Sequence, residues 1–277
     1  MVDRSAIRMI AITAALLAAG VAAQAFDETK YPNWKGQWVA LDGNENSPWD
    51  PMRPAGAGQQ APLTAEYQAI FESNLRDLAS GAQGADPTRR CIPAALPRVM
   101  MAIRPMEIVV TPRETYFMLE QFSTLRRVYT DGRKFPDDFE TSFVGYSIGE
   151  WQDTDGDGHF DALVIETRGI KGPHTYDASG IPFHKDGEAI VKERLFADKT
   201  NPNILHNEVT TIDHALTRPW TVTRSYRRAE QPQWSEFTCS EDPNYVQIGD
   251  QGYKLSPEGL LMPLRSGQQA PDLRYFK

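Results

Sequence analysis

Asp153, Asp155 and Asp157 fall on alternate positions of WQDTDGDGHFDALVIET (151–167), Gly158 follows, and Asp161 closes the run. A backbone curling through such a loop turns several carboxylate oxygens toward one hard cation, and Ca²⁺ takes about six to eight oxygens. The spacing fits positions 1, 3, 5, 6 and 9 of an EF-hand loop, but Val164 stands where the bidentate Glu belongs, and strand-like residues follow. The unit is therefore an acidic loop entering a strand. Asp and Gly also build metal-free tight turns. Four carboxylates in so short a run repel one another unless a cation neutralises them, so the expected cofactor is a structural Ca²⁺.

A second group of chemistry-bearing residues interrupts apolar strand faces. Alternation groups Leu125, Arg127 and Tyr129, then Ile190, Lys192, Arg194 and Phe196, then Ile204, His206, Glu208 and Ile212, then Trp220, Val222, Arg224 and Tyr226. Apolar stripes broken by Arg, His and Glu suit a cavity whose walls hold a ligand body while a few polar groups orient it. Arg127, Tyr129, Arg194, His206, Glu208, Arg224 and Tyr226 are the candidate ligand-binding residues. On the strand near 190 the opposite face carries Val191, Glu193 and Leu195, so the inward side stays open there. Long Arg and Lys side chains also cover outer sheet faces with packed stems and wet heads.

Among the five histidines, at 159, 174, 184, 206 and 214, none forms H-E-x-x-H or another helix-spaced zinc pair. His184, beside Asp186 in IPFHKDGE, and His206 are the candidate general acid–base groups. There is no G-x-S-x-G, Walker loop or Rossmann glycine fingerprint.

The elements that must position these groups are mostly strands. EIVVT, TYFMLEQ, LRRVYT, DALVIET, AIVKERLF, ILHNEVTTID, PWTVTRSYRR and WSEFTC alternate with period two, separated by short turns and one insertion, Lys171–Gly187. Consecutive strands without intervening helices predict a mainly β, antiparallel meander closing into a barrel, with a sandwich as the alternative. Ahead of it, Thr64 reads as the N-cap of one amphipathic helix presenting Tyr67, Ile70, Phe71, Leu75 and Leu78. The expected organisation is a signal peptide at 1–25, a Pro/Gly-rich arm at 26–63 with a short strand at Gln37–Leu41, and a helical segment at 64–105. The β domain then spans 106–254 and an irregular tail 255–277.

Arg4 and Arg8 precede the apolar run Met9–Ala23, and Ala23-Gln24-Ala25 has the small-x-small form cut by signal peptidase. Cleavage after Ala25 sends the chain to the periplasm or outside the cell, with no stable membrane insertion of the mature protein. It also removes Asp3, Arg4 and Arg8, a net +1, so the formal charge passes from −8 to −9. That charge excludes nucleic acid as an expected partner. Cys91 and Cys239, the two cysteines, form an expected disulfide in an oxidising compartment. So long a loop is worth roughly 4–5 kcal/mol at most in the chain-entropy picture.

Two resemblances add to this. Asp-x-Asp-x-Asp-Gly-x-x-Asp followed by a strand resembles calcium loops of propeller-type repeat proteins. That match implies Asp153, Asp155, Asp157 and Asp161 as side-chain ligands, with the His159 carbonyl adding one more. RRVYTDGR (126–133), GYSIGEW (145–151), ETRGIKGP (166–173), ASGIPFH (178–184), DHALTRPWTVTRSYRR (213–228), FTCSE (237–241) and APDLRYF (270–276) resemble a family of exported bacterial proteins. The family is marked by YTDGR, GYSIG-W, TRPWTV and PDLRYF, and it carries over no catalytic residue. The preferred expectation is an exported barrel binding a small organic molecule. The alternatives are a hydrolase or lyase using His184 or His206, and an envelope protein-interaction module.

Overall fold

The computed structural model describes residues 26–41, 43, 47–80, 82, 84–235, 237, 245–248, 251–256, 258–264 and 267–271. Nine strands close into a barrel: β1 (Gln37–Ala40), β2 (Met106–Val110), β3 (Glu114–Leu119), β4 (Thr124–Tyr129), β5 (Tyr146–Gln152), β6 (Ala162–Arg168), β7 (Ile190–Ala197), β8 (Ile204–Ile212) and β9 (Trp220–Arg228). The seam is β1 against β9, with Trp38 opposite Arg228 and Ala40 opposite Tyr226. A separate three-stranded sheet follows, of β10 (Tyr245–Ile248), β11 (Gln251–Leu255) and β12 (Leu261–Pro263).

Seven of the eight expected strands are present, and Tyr146–Gln152 and Gln37–Ala40 complete the barrel. Trp234, Ser235 and Phe237 of the eighth lie outside any strand. Ser235 instead binds the Glu120 carboxylate, its hydroxyl donating at 2.5 Å, and Phe237 meets Phe122 edge-on. The meander departs from antiparallel order once: β4 and β5 pair parallel, Val128 opposite Ser147 and Tyr129 opposite Ile148. Parallel neighbours need a long crossover, and residues 130–145 supply it, with Phe135 and Phe139 packed at a tilt against Tyr146.

Helix α1 (Ala65–Ala79) begins at the expected cap, the Tyr67 N–H donating to Thr64 Oγ1. It buries Tyr67, Phe71 and Asn74, while Ile70 is exposed. Asn74 replaces an expected apolar contact with backbone bonds, donating to the Ser179 carbonyl and accepting from the Ala85 N–H. The helix thus holds the insertion near 171–187 in place.

That insertion is far from a free loop. Tyr176, Asp177 and Ile181 are buried. Tyr176 stacks on Phe183 at 4.0 Å and packs on Trp220 at 4.9 Å. Asp177 accepts from the Trp49 N–H at 2.9 Å, drawing in the N-terminal arm. Cys91 ends a short 3₁₀ turn in a left-handed conformation, φ 56°; Cys239 and residues 1–25 lie outside the described residues. Among those residues, no helix is long and apolar enough to cross a membrane.

Candidate functional site

On β4 and β8 the barrel interior is built on the face opposite the one the alternation grouped as a lining, and on β7, where the sequence left the inward side open, it takes the side of Val191. On β4 Arg126 and Val128 point in; on β7 Val191, Glu193 and Leu195; on β8 Leu205, Asn207, Val209 and Thr211. Arg126 forks onto Glu193, donating to Oε1 at 3.1 Å and, closer still, to Oε2. It also donates to Thr167 Oγ1 at 3.0 Å and lies over the Phe117 ring. Asn207 Nδ2 gives Glu193 a further bond at 2.9 Å. Both charges are fully buried. Gly149 makes room for this layer, since a Cβ there would meet Val128 Cγ1 at 2.7 Å.

The ligand-binding candidates divide accordingly. Arg127, Tyr129, Arg194, His206 and Glu208 lie on the outer face. There Arg127 covers Tyr116 and Tyr129, and Arg194 covers Phe196 and faces Glu208 at 3.5 Å. His206 bonds Ser225 Oγ at 2.8 Å and Asp198 Oδ2 at 3.3 Å. The correction has a simple cause: on β4 and β7 a charged residue sits in both stripes, and a one-residue slip exchanges the faces. Arg224 and Tyr226 do point inward, where they hold backbone. Arg224 donates to the carbonyls of Pro48 and Trp49 at 3.1 and 2.9 Å, and Tyr226 donates to that of Met100 at 2.5 Å.

The acidic loop between β5 and β6 gathers three of its aspartates: ligand atoms of Asp153, Asp155 and Asp157 all lie within 4.8 Å of one another. Asp153 organises the turn, accepting from the N–H of Gly156 at 2.7 Å and of Gly158 at 2.9 Å. Those bonds hold its carboxyl below the ordinary range against a smaller opposing effect of burial. Gly156 and Gly158 sit at φ 77° and 91°, where side chains are strained. Asp161 is turned away from this trio onto Thr154, accepting from its N–H at 3.1 Å and its hydroxyl at 2.5 Å. His159 directs its ring Nδ1 to the Thr29 carbonyl, 3.0 Å away.

This loop is fastened to a groove. The Phe160 N–H donates to the Lys30 carbonyl at 2.7 Å, and Tyr31 packs on Trp151 and Phe160 with centroids 5.3 and 5.0 Å apart. The strap 28–36 and strand β2 border a half-open groove of about 600 Å³, lined by Phe26, Tyr31, Trp34, Val109 and Val110 together with Glu28, Lys35 and Glu107. No spacing rule foretells this groove, because its walls come from an irregular strap and a strand some seventy residues on.

The acid–base candidate His184 has acquired partners. Its Nδ1 lies 2.7 Å from Asp186 Oδ2, and His214 Nδ1 lies 2.5 Å from the same oxygen. Burial alone would raise Asp186, but the Glu188 N–H and both imidazoles outweigh it and hold the carboxyl at about 2. Asp186 in turn raises His214. His174, buried nearby against Phe183 at 4.2 Å, is depressed to about 4 by burial and stays neutral. A scan against protein-family models and a search of curated proteins both return no match for the chain.

Proposed function

We propose that this is an exported barrel protein that binds a small organic molecule, its body apolar or aromatic, in the groove between the 28–36 strap and β2. The observation that carries the reading is the groove itself. Its volume falls in the range of small-molecule sites, roughly 300–1,000 Å³, and an aromatic lining with a few charged residues is the composition such sites use. In this reading the acidic loop holds a structural Ca²⁺. Asp153, Asp155 and Asp157 are the gathered ligands, Asp161 and the His159 carbonyl the remaining candidates, and the ion stiffens the strap through Phe160 and Tyr31. Cleavage after Ala25 and a Cys91–Cys239 bridge belong to the same proposal.

The test is a panel of aromatic and aliphatic small molecules added to the mature protein, read by tryptophan fluorescence and melting temperature. Binding that raises the melting temperature in the wild type and is lost in Val109→Arg, an exposed groove position, supports the site. Binding untouched by that substitution would move the ligand elsewhere, and no binder at all would favour an interaction module.

Calcium is tested separately. In metal-stripped protein, Ca²⁺ at about 100 times its Kd adds ~2.7 kcal/mol to the folded state and lifts the melting temperature by several degrees. Asp153→Asn with Asp155→Asn abolishes the lift. An unchanged melting temperature at millimolar Ca²⁺ in the wild type removes the metal from the loop.

A further inference from the structure

We infer that His184, Asp186 and His214 form a binding site for a divalent transition cation of the Zn²⁺ type, joining the insertion to the β8–β9 turn. Nothing in the groove or the acidic loop depends on it. Ligand atoms of the three residues lie within 4.8 Å of one another. Two imidazoles and one carboxylate are a donor set that suits Zn²⁺ and its neighbours better than Ca²⁺ or Mg²⁺.

The contacts of His184 call for a positive charge beside Nδ1. The Asp186 backbone N–H points at His184 Nδ1 from 3.3 Å, so that nitrogen is an acceptor carrying a lone pair. The same lone pair faces Asp186 Oδ2 at 2.7 Å. Two electron pairs so close repel unless a positive charge sits between or beside them. A divalent cation bound by Nδ1 and Oδ2 takes up both lone pairs and relieves that repulsion, at the expense of the longer N–H contact.

Asp213 supplies an independent observation. It is 7% exposed; its Oδ1 accepts from the His184 and Ala215 N–H groups at 3.0 and 2.9 Å. Its Oδ2 is buried with no hydrogen-bond partner. Glu188 stands 3.9 Å from His214 Nδ1. Asp186, Asp213 and Glu188 thus stand around the two imidazoles, an arrangement of donors that suits a divalent cation. With three protein ligands and a His214 side chain 65% exposed, the fourth position opens to solvent, as in zinc sites that keep a water.

The experiment uses the full mature chain, stripped of metal and held in millimolar Ca²⁺ so that the acidic loop is not available. Zn²⁺ is titrated by calorimetry, and Co²⁺ serves as a spectroscopic stand-in. The expected result is one equivalent of Zn²⁺ at micromolar or tighter affinity, weakened at least tenfold in His214→Ala and in Asp186→Asn, and unchanged in His206→Ala. The visible bands of bound Co²⁺ should disappear in the first two variants. His214 is largely exposed, so His214→Ala keeps its fold, which the metal-free melting temperature verifies. Zn²⁺ affinity equal in wild type and both variants, or no saturable binding below millimolar Zn²⁺, overturns the assignment.

Discussion

Arg126→Met lowers the stability of the chain by about 3–5 kcal/mol, because it strands the Glu193 carboxylate in the barrel interior with its counter-charge gone. Glu193→Leu does the same to Arg126. Ser147, Thr167 and Asn207 surround the pair with neutral polar groups, and those cannot replace a full charge. Arg126→Met with Glu193→Leu together is near neutral, since an apolar pair of similar volume often matches a buried ion pair. The measurement is urea unfolding, with the midpoint moving and the slope constant. Single variants within 1 kcal/mol of wild type would show that the pair is wet, and the account of a dry polar layer would fall.

The second large effect lies outside the barrel. Arg98 grips Asp86 with both guanidinium nitrogens, Nη2 donating to Oδ2 at 2.9 Å, and reaches Thr175 Oγ1 at 3.1 Å. Both side chains are buried. Burial alone would raise Asp86, but the Arg98 bonds and charge, with help from Thr88, win and hold it below its ordinary value. A carboxyl lowered on folding contributes stability above its unfolded pKa, near 4, and loses it as pH falls through the folded value. Arg98→Met therefore costs about 3–5 kcal/mol near neutral pH. The cost shrinks on acidification, because the stranded Asp86 accepts a proton and is relieved. Chemical unfolding of both proteins from pH 7 to pH 3 checks this; a gap independent of pH would mean that lost packing, not charge, explains the variant.

Much of the barrel could be read from period-two alternation, and the helix from Thr64 and its apolar face. What alternation could not supply was the inward side. On β4 Arg126 and Arg127 compete for it, and on β7 Ile190 and Phe196 are as apolar as Val191 and Leu195. The usable signal was complementarity: Arg126 and Glu193 are opposite charges, Glu193 between Val191 and Leu195 and Arg126 two residues before Val128. Tyr146–Gln152 escaped notice because Gly149 and Glu150 weaken its pattern, though packing against Val128 requires the glycine. His214 was visible only as a residue, since its approach to His184 and Asp186 depends on how the insertion docks against the β8–β9 turn.

The seam between β1 and β9 has a kinetic consequence. Trp38 must find Arg228 across most of the chain, so closure waits for the last barrel strand to leave the ribosome. Contacts this distant in sequence make for slow folding, and until the ends meet two strand edges stay unpaired and open to other chains.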